Sequence, residues 1–270
     1  MTELDLATET LELFISMLLE KLPEDETYPP DEDGHLTNLS LYYRLRSIAR
    51  YLATGDTNNY VSDLHRSGQT RLYYLKGCAN GSTGNERFYR TSRNRAFFDC
   101  IAINDFATAE VLAELCDGRW VESLEYEDDF LFVHFLQVLF LTLRGRRPPE
   151  ATRAVLQRFR VVIGTEDSPF FNLCFALQEQ QATVVEKNLQ HIMERRGANY
   201  ARAAELGDLH AVFLHTERFI DVQAVAIVRM AAELGLPTTS WRFPRVPSEL
   251  CELAGARHTY PSVGSWRQGA

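Results

Sequence analysis

Apolar residues recur at three- and four-residue spacings along nearly the whole chain, and that period confines the backbone to helix. Leu4, Leu11, Phe14, Ile15, Leu18, Leu19 and Leu22 form one such stripe, stopped by Pro23. Two more helical stretches follow, Leu39 to Leu52 and Val61 to Leu75. Strand signals are nearly absent; Arg160 to Ile163 is a short β-branched run. The most apolar stretch, Phe130 to Leu143, is fourteen residues long and is interrupted by His134 and Gln137. A bilayer span needs about 20 apolar residues, so this reads as a buried core helix rather than a membrane anchor.

Tight helix pairs are written into two segments. Phe97, Phe98, Ile101 and Ala102 lead into Asn104-Asp105, after which Phe106, Ala109, Val111, Leu112 and Leu115 resume the stripe. Phe170, Phe171, Leu173, Cys174 and Leu177 lead into Gln178 to Gln181, then Ala182, Val184, Val185, Leu189 and Ile192. Each predicts an αα-hairpin, and their offset is about twice the ~34-residue helix-hairpin repeat. Pro148-Pro149-Glu150 opens a helix that Gly164 ends. Asp208 is read as the cap of a helix whose stripe runs Val212, Phe213, Phe219, Ile220, Ile227, Met230, Ala231 and Leu234, closed by Gly235 and Pro237.

The expected fold is therefore all-α: antiparallel helix hairpins packed as a single helical-repeat-like domain over residues 1–270. An acidic loop is expected at 23–35, a flexible loop at 77–86, and an irregular segment at 237–270 that wraps the surface. A chain of 270 residues buries roughly 73% of its unfolded surface, ample for one core.

Charge and cysteine usage narrow the function. Twenty-eight Lys and Arg against thirty-seven Asp and Glu leave a net charge of −9, which disfavours a nucleic-acid binder. Five cysteines (Cys78, Cys100, Cys116, Cys174, Cys251) lack C-x-x-C spacing, so neither a zinc site nor a disulfide framework is expected. The N-terminus carries acids where an export signal carries bases, and the expected location is the cytoplasm.

Three helical enzyme templates fail on inspection. No His is followed by Asp, so the His-Asp metal core of helical hydrolases is missing. Glu32-x-x-His35 is the one Glu-x-x-His match, whereas di-iron bundles require the motif from each of two helices. Asp128-Asp129 lacks the third acid of a magnesium-binding D-D-x-x-D, because position 132 is Phe. His210 and His215 lie five apart, off the i, i+4 spacing of a helical metal site. The Gly77, Gly81, Gly84 loop lacks the Gly-Lys-Ser/Thr ending of a phosphate cradle. No enzyme, no cofactor and no metal site is expected.

Two charged runs remain. Arg87 to Arg95 holds four Arg and two aromatics in nine residues, a face for a partner or for internal ion pairs. Glu122, Glu125, Tyr126, Glu127, Asp128 and Asp129 crowd five acids into eight positions just before the most apolar helix. Acids in a first helical turn gain about 0.3–1 kcal/mol each from the dipole, which explains two or three of them. The surplus needs a cationic partner, a metal or nearby Arg; the run Arg87 to Arg95 is one candidate counter-charge. An acidic patch carrying Tyr126 suits capture of a basic protein surface.

The stretch Leu124-Glu125-Tyr126-Glu127-Asp128-Asp129-Phe130-Leu131-Phe132, following Phe97-Phe98 and the Ala109/Val111/Leu112 helix, resembles the Imm49 family of bacterial immunity proteins. The Arg93 to Phe98 lead-in and the late Pro247-x-x-Leu250 are similar to that family as well, and the likeness spans about Arg90 to Leu250. The resemblance implies an all-helical cytosolic antitoxin that binds one cognate toxin effector, of the kind delivered by contact-dependent secretion systems, and blocks it. Its partner would be that protein, with neither nucleic acid nor membrane involved. The competing expectations are a helix-hairpin scaffold or effector chaperone that holds a peptide or protein, and a helical enzyme of unrecognised motif.

Overall fold

The computed structural model describes residues 2–22, 34–82, 84–116, 118–253, 260 and 264–268. Thirteen α-helices follow one another among these residues: α1 (Glu3–Leu19), α2 (His35–Thr54), α3 (Thr57–Ala79), α4 (Glu86–Tyr89), α5 (Arg95–Ala102), α6 (Phe106–Leu115) and α7 (Glu127–Leu143), then α8 (Pro149–Ile163), α9 (Pro169–Gln178), α10 (Ala182–Leu206), α11 (Ala211–Leu214), α12 (Val222–Glu233) and α13 (Ser248–Glu252). No strand occurs among the described residues, and the fold is all-α as expected. The acidic stretch 23–33 lies outside them.

Local chemistry sets the helix ends. Thr2 and Asp5 form a capping box on α1, each side chain accepting the other's backbone N–H. Asp56 caps α3 by accepting from Asn58 N at 2.8 Å, directly after Gly55 turns the chain at φ +70°. Both expected hairpins are present. α5 and α6 are joined at Asn104, and α9 and α10 at Gln180, the two non-glycine residues with positive φ (65° and 52°) among those described. Pro149 is the first residue of α8, and Gly164 ends it.

Two expectations need correction. The stripe from Val212 to Leu234 is not one helix. It breaks into α11 and α12, because the Asp221 carboxylate accepts Ala224 N at 3.0 Å and starts a new helix there, while His210 rather than Asp208 caps α11. The C-terminal segment does more than wrap the surface. Trp241, Phe243, Val246, Leu250, Leu253 and Trp266 are all buried in the core, and Tyr43 donates its hydroxyl proton to the Trp266 carbonyl.

One apolar cluster runs from Ile15 to Trp266, and its spine is α7, buried from Phe130 to Val133 and from Phe135 to Leu141. A smaller cluster of Leu11, Leu45, Ala49 and Val212 seats α1 and α11 on α2. Gly68 lets α3 approach α5 closely, since a Cβ there would fall 2.3 Å from Cys100 Sγ. Among the described residues no helix is long and apolar enough to cross a membrane. All five cysteines are free thiols, and Cys100 and Cys174 are fully buried.

The interior is not purely apolar. Arg46 from α2 grips Asp63 on α3 with two bonds, Nε–Oδ2 at 2.8 Å and Nη2–Oδ1 at 2.6 Å, both side chains almost fully buried. Arg66 adds a third bond to Asp63 at 3.0 Å. Removing one member of such a set strands charge in a low dielectric. Asp63→Ala is expected to lower stability by about 3–5 kcal/mol in urea denaturation, and pairing it with Arg46→Met should cost less than the two single losses added.

His134 provides a second check. It stacks on Phe130 with centroids 5.1 Å apart, beside Gly118. Burial, then the positive charges of Arg158 and Arg147, pull its pKa down to about 4. The folded value lies below the unfolded ~6.5, so this stability is complete above pH ~6.5 and drains away as pH falls towards 4. Denaturation curves from pH 7 to pH 4 should show up to about 3 kcal/mol of loss that His134→Leu does not share.

Candidate functional site

The acidic run divides by position. Residues 121–125 form a turn, with Glu125 N donating to the Val121 carbonyl at 3.2 Å, and Tyr126 occupies the N-cap of α7. Glu125 faces inward and is only 9% exposed; its Oε2 accepts Ser92 N at 3.0 Å, and its carbonyl accepts the Trp120 indole N–H at 2.9 Å. Glu125 therefore locks the turn against residues 91–93 and is withdrawn from the docking surface expected of it. Glu127 pairs with Arg158 on α8 at 2.6 Å, and that guanidinium lies over the Trp120 and Phe130 rings.

Glu122, Tyr126, Asp128 and Asp129 stay at the surface, Tyr126 with 79% of its area in water. Burial, and then the negative charge of Asp128, raise the Asp129 carboxyl above its ordinary range. The expected neutralisation by Arg87 to Arg95 takes another form. Arg90 is buried and donates Nε–H to the Glu86 carbonyl at 2.9 Å, while Arg93 acts on Glu125 and Asp129 through the field rather than by an ion pair.

Asp129 also borders a cleft of about 640 Å³ that periodicity did not reveal. Its walls are α7 (Phe132, Val133), α9 (Phe170), α5 (Arg95, Phe98) and one face of α10. On α10, Arg195 and Asn199 are four apart, as are Arg196 and Tyr200, so both pairs stack along the same side. The inner end is closed by Arg44, Glu217, Asp221 and Arg245.

The inner end is held by a chain of ions. Arg44 donates Nη1–H to Asp99 at 2.6 Å and Nε–H to Glu217 at 3.0 Å. Tyr200 donates its hydroxyl proton to Glu217 Oε2 at 2.8 Å, and Arg95 Nη1 stands 3.7 Å from that oxygen. Asp221 takes Arg196 at 3.1 Å and Arg245 at 3.6 Å. Arg245 also donates to the Glu217 carbonyl, and Arg196 to Gln223. Burial works to raise the Glu217 carboxyl, but Arg95 and Arg44 outweigh it and hold the group below its usual range. Arg196 and Arg245 do the same for Asp221. Asp99, deeper still, is raised by burial despite Arg44.

At the inner end these charged groups engage one another in ion pairs and hydrogen bonds. A buried His65–Asp105 pair, Nδ1 to Oδ2 at 2.7 Å, lies elsewhere, stacked beneath Tyr260. Asp105 spends its other oxygen capping α6 through Thr108 N, and burial pushes the neighbouring Cys100 thiol far up, away from the reactive thiolate. No group of three or more His, Cys, Asp or Glu among the described residues is placed to hold a metal.

The cleft left one trace in the sequence, the Arg195-Arg196 doublet followed by Asn199-Tyr200 on a long helix. Its counter-ions Glu217 and Asp221 were hidden inside the stripe read as a single helix. Comparison with protein-family models, with curated proteins and with solved structures finds no match to this chain.

Proposed function

We propose that this chain is an immunity protein, a stoichiometric inhibitor that binds a cognate toxin effector and covers its active site. The observation that carries the reading is Tyr126, a large aromatic with 79% of its area in water, flanked by the exposed carboxylates of Glu122, Asp128 and Asp129. Exposed aromatics are strong interface anchors when a partner desolvates them, and surrounding charge steers the encounter. Glu122, Asp128 and Asp129 supply that charge around Tyr126, while Glu125 and Glu127 keep the platform rigid from behind. Residues 126–129 sit at the start of α7, whose body is buried from Phe130 to Leu141 apart from His134, so the patch arrives at a partner preorganised, with little ordering left to do. The resemblance of residues 124–132 to the Imm49 family supports the same reading. A toxin acting on nucleic acid or nucleotides has a basic cleft for substrate, and this acidic surface would occupy it instead.

The second reading, a scaffold or effector chaperone, draws on the two tight hairpins and the cleft beside them. The two separate by ligand size, because a scaffold takes peptides whereas an inhibitor needs the folded toxin domain.

Coexpression with candidate toxin domains is the test. Tyr126→Ala with Asp128→Lys should weaken the measured Kd by about 30-fold or more, the effect of losing about 2 kcal/mol, and abolish protection. Both side chains are exposed, so the circular dichroism spectrum should not move, and the melting curve should shift only by the about 1 kcal/mol that reversing a charge in the first turn of α7 costs. Undiminished protection and affinity would remove the patch from the interface.

A further inference from the structure

We infer that the cleft between α7, α9 and α10 is a binding site for a nucleotide-sized organic phosphate, with Arg95 and Arg195 holding the phosphate at the mouth and the aromatic wall holding the flat body. The inference goes beyond the inhibitor reading and uses a different surface.

Charge is the first argument. A chain with nine surplus acids lines this one cleft with five guanidinium groups and three carboxylates. The inner ions match one another: Asp99, Glu217 and Asp221 neutralise Arg44, Arg196 and Arg245. Arg95 and Arg195 are left at the mouth. Arg95 is 54% exposed and reaches Glu217 only at 3.7 Å, and the Arg195 side chain has no internal ion pair or hydrogen bond among the described residues. Asn199, one turn beyond Arg195, has an equally unengaged amide. Two guanidinium forks and an amide lining one opening are a donor set for phosphate oxygens, which arginine binds in bidentate fashion.

The shape argument is independent. At about 640 Å³ the cleft lies within the ~300–1,000 Å³ span of small-molecule sites. Its wall opposite α10 carries Phe98, Phe132 and Phe170, the last two edge to face with centroids 4.9 Å apart. Phe98 and Phe132 are 2% and 4% exposed, so the half-buried Phe170 offers the face on which a planar ring stacks. A bare phosphate would make no use of it.

Asp129 is the opposing charge at the mouth. Its carboxylate repels an incoming anion, so removing that charge without changing the shape should improve binding. The same change should weaken a toxin that docks on the acidic patch, which keeps the two readings apart.

Isothermal titration of the full chain with AMP, GMP, CMP and UMP tests the site, with inorganic phosphate, adenosine and an acidic hexapeptide as further probes. At least one nucleotide should bind, and at least ~10-fold more tightly than phosphate or adenosine alone. Arg195→Ala should weaken it by ~10-fold or more, and Asp129→Asn should tighten it several-fold. Both positions are exposed, and unchanged melting curves will show that the fold is kept. The inference is overturned if no nucleotide binds, if only the acidic peptide binds, if Arg195→Ala leaves affinity unchanged, or if Asp129→Asn weakens it.

Discussion

Charges taken out of water must meet opposite charges, and in this molecule that requirement ties distant parts of the chain together. Arg44 on α2 reaches Asp99 on α5 and Glu217 ahead of α12, across sequence separations of 55 and 173 residues. Apolar packing is forgiving of small rotations between helices, whereas a bond of 2.6 Å between buried ions is not. The ion chain thus fixes how α2, α5 and the entry to α12 sit, and Ser67 on α3 joins it by donating to Asp99 at 2.7 Å. Losing any one member leaves its buried neighbours with one partner fewer and an unbalanced charge, so the network behaves as a unit rather than as separate bonds.

That unit also explains why the cleft can exist. A concave surface of this size would ordinarily be filled by collapsing side chains. Here the inner end is braced by Glu217 and Asp221, each held between two guanidinium groups, and by Tyr200 bonded to Glu217. Arg44, Arg196 and Arg245 are consumed by these carboxylates and Asp99, Arg95 at the mouth reaches Glu217 only at 3.7 Å, and Arg195 and Asn199 there have no internal partner among the described residues. Rigidity and availability are divided between the two ends of one site.

Helical class and both hairpins were legible in the sequence because they follow from apolar spacing, and every residue in Phe97–Ala102 and most in Phe130–Leu141 is buried as that spacing requires. The break at Asp221 was not legible. Apolar residues continue across it, and only the capped N–H of Ala224 distinguishes a helix start from a helix interior. The site was half legible. Crowding of carboxylates was visible at once, but which of them is spent internally depends on Ser92 and Arg158, some thirty residues away in either direction. The cleft was invisible for the same reason, since its ions are contributed by segments between Arg44 and Arg245 that no local pattern connects.

The acids at the start of α7 therefore have three separate causes. Glu125 and Glu127 are structural: one fastens the preceding turn, the other anchors α8 through Arg158. Helix-dipole attraction accounts for part of Asp128 and Asp129, at about 0.3–1 kcal/mol each. It does not account for their adjacency, because two neighbouring carboxylates repel, and the raised pKa of Asp129 records that repulsion together with burial. Nor does it account for Tyr126, whose ring gains nothing from the helix it precedes. Folding alone would favour a neutral residue at 129 and a small polar one at 126. What stands there instead is an exposed aromatic and a second, adjacent carboxylate, neither of which the packing of α7 calls for.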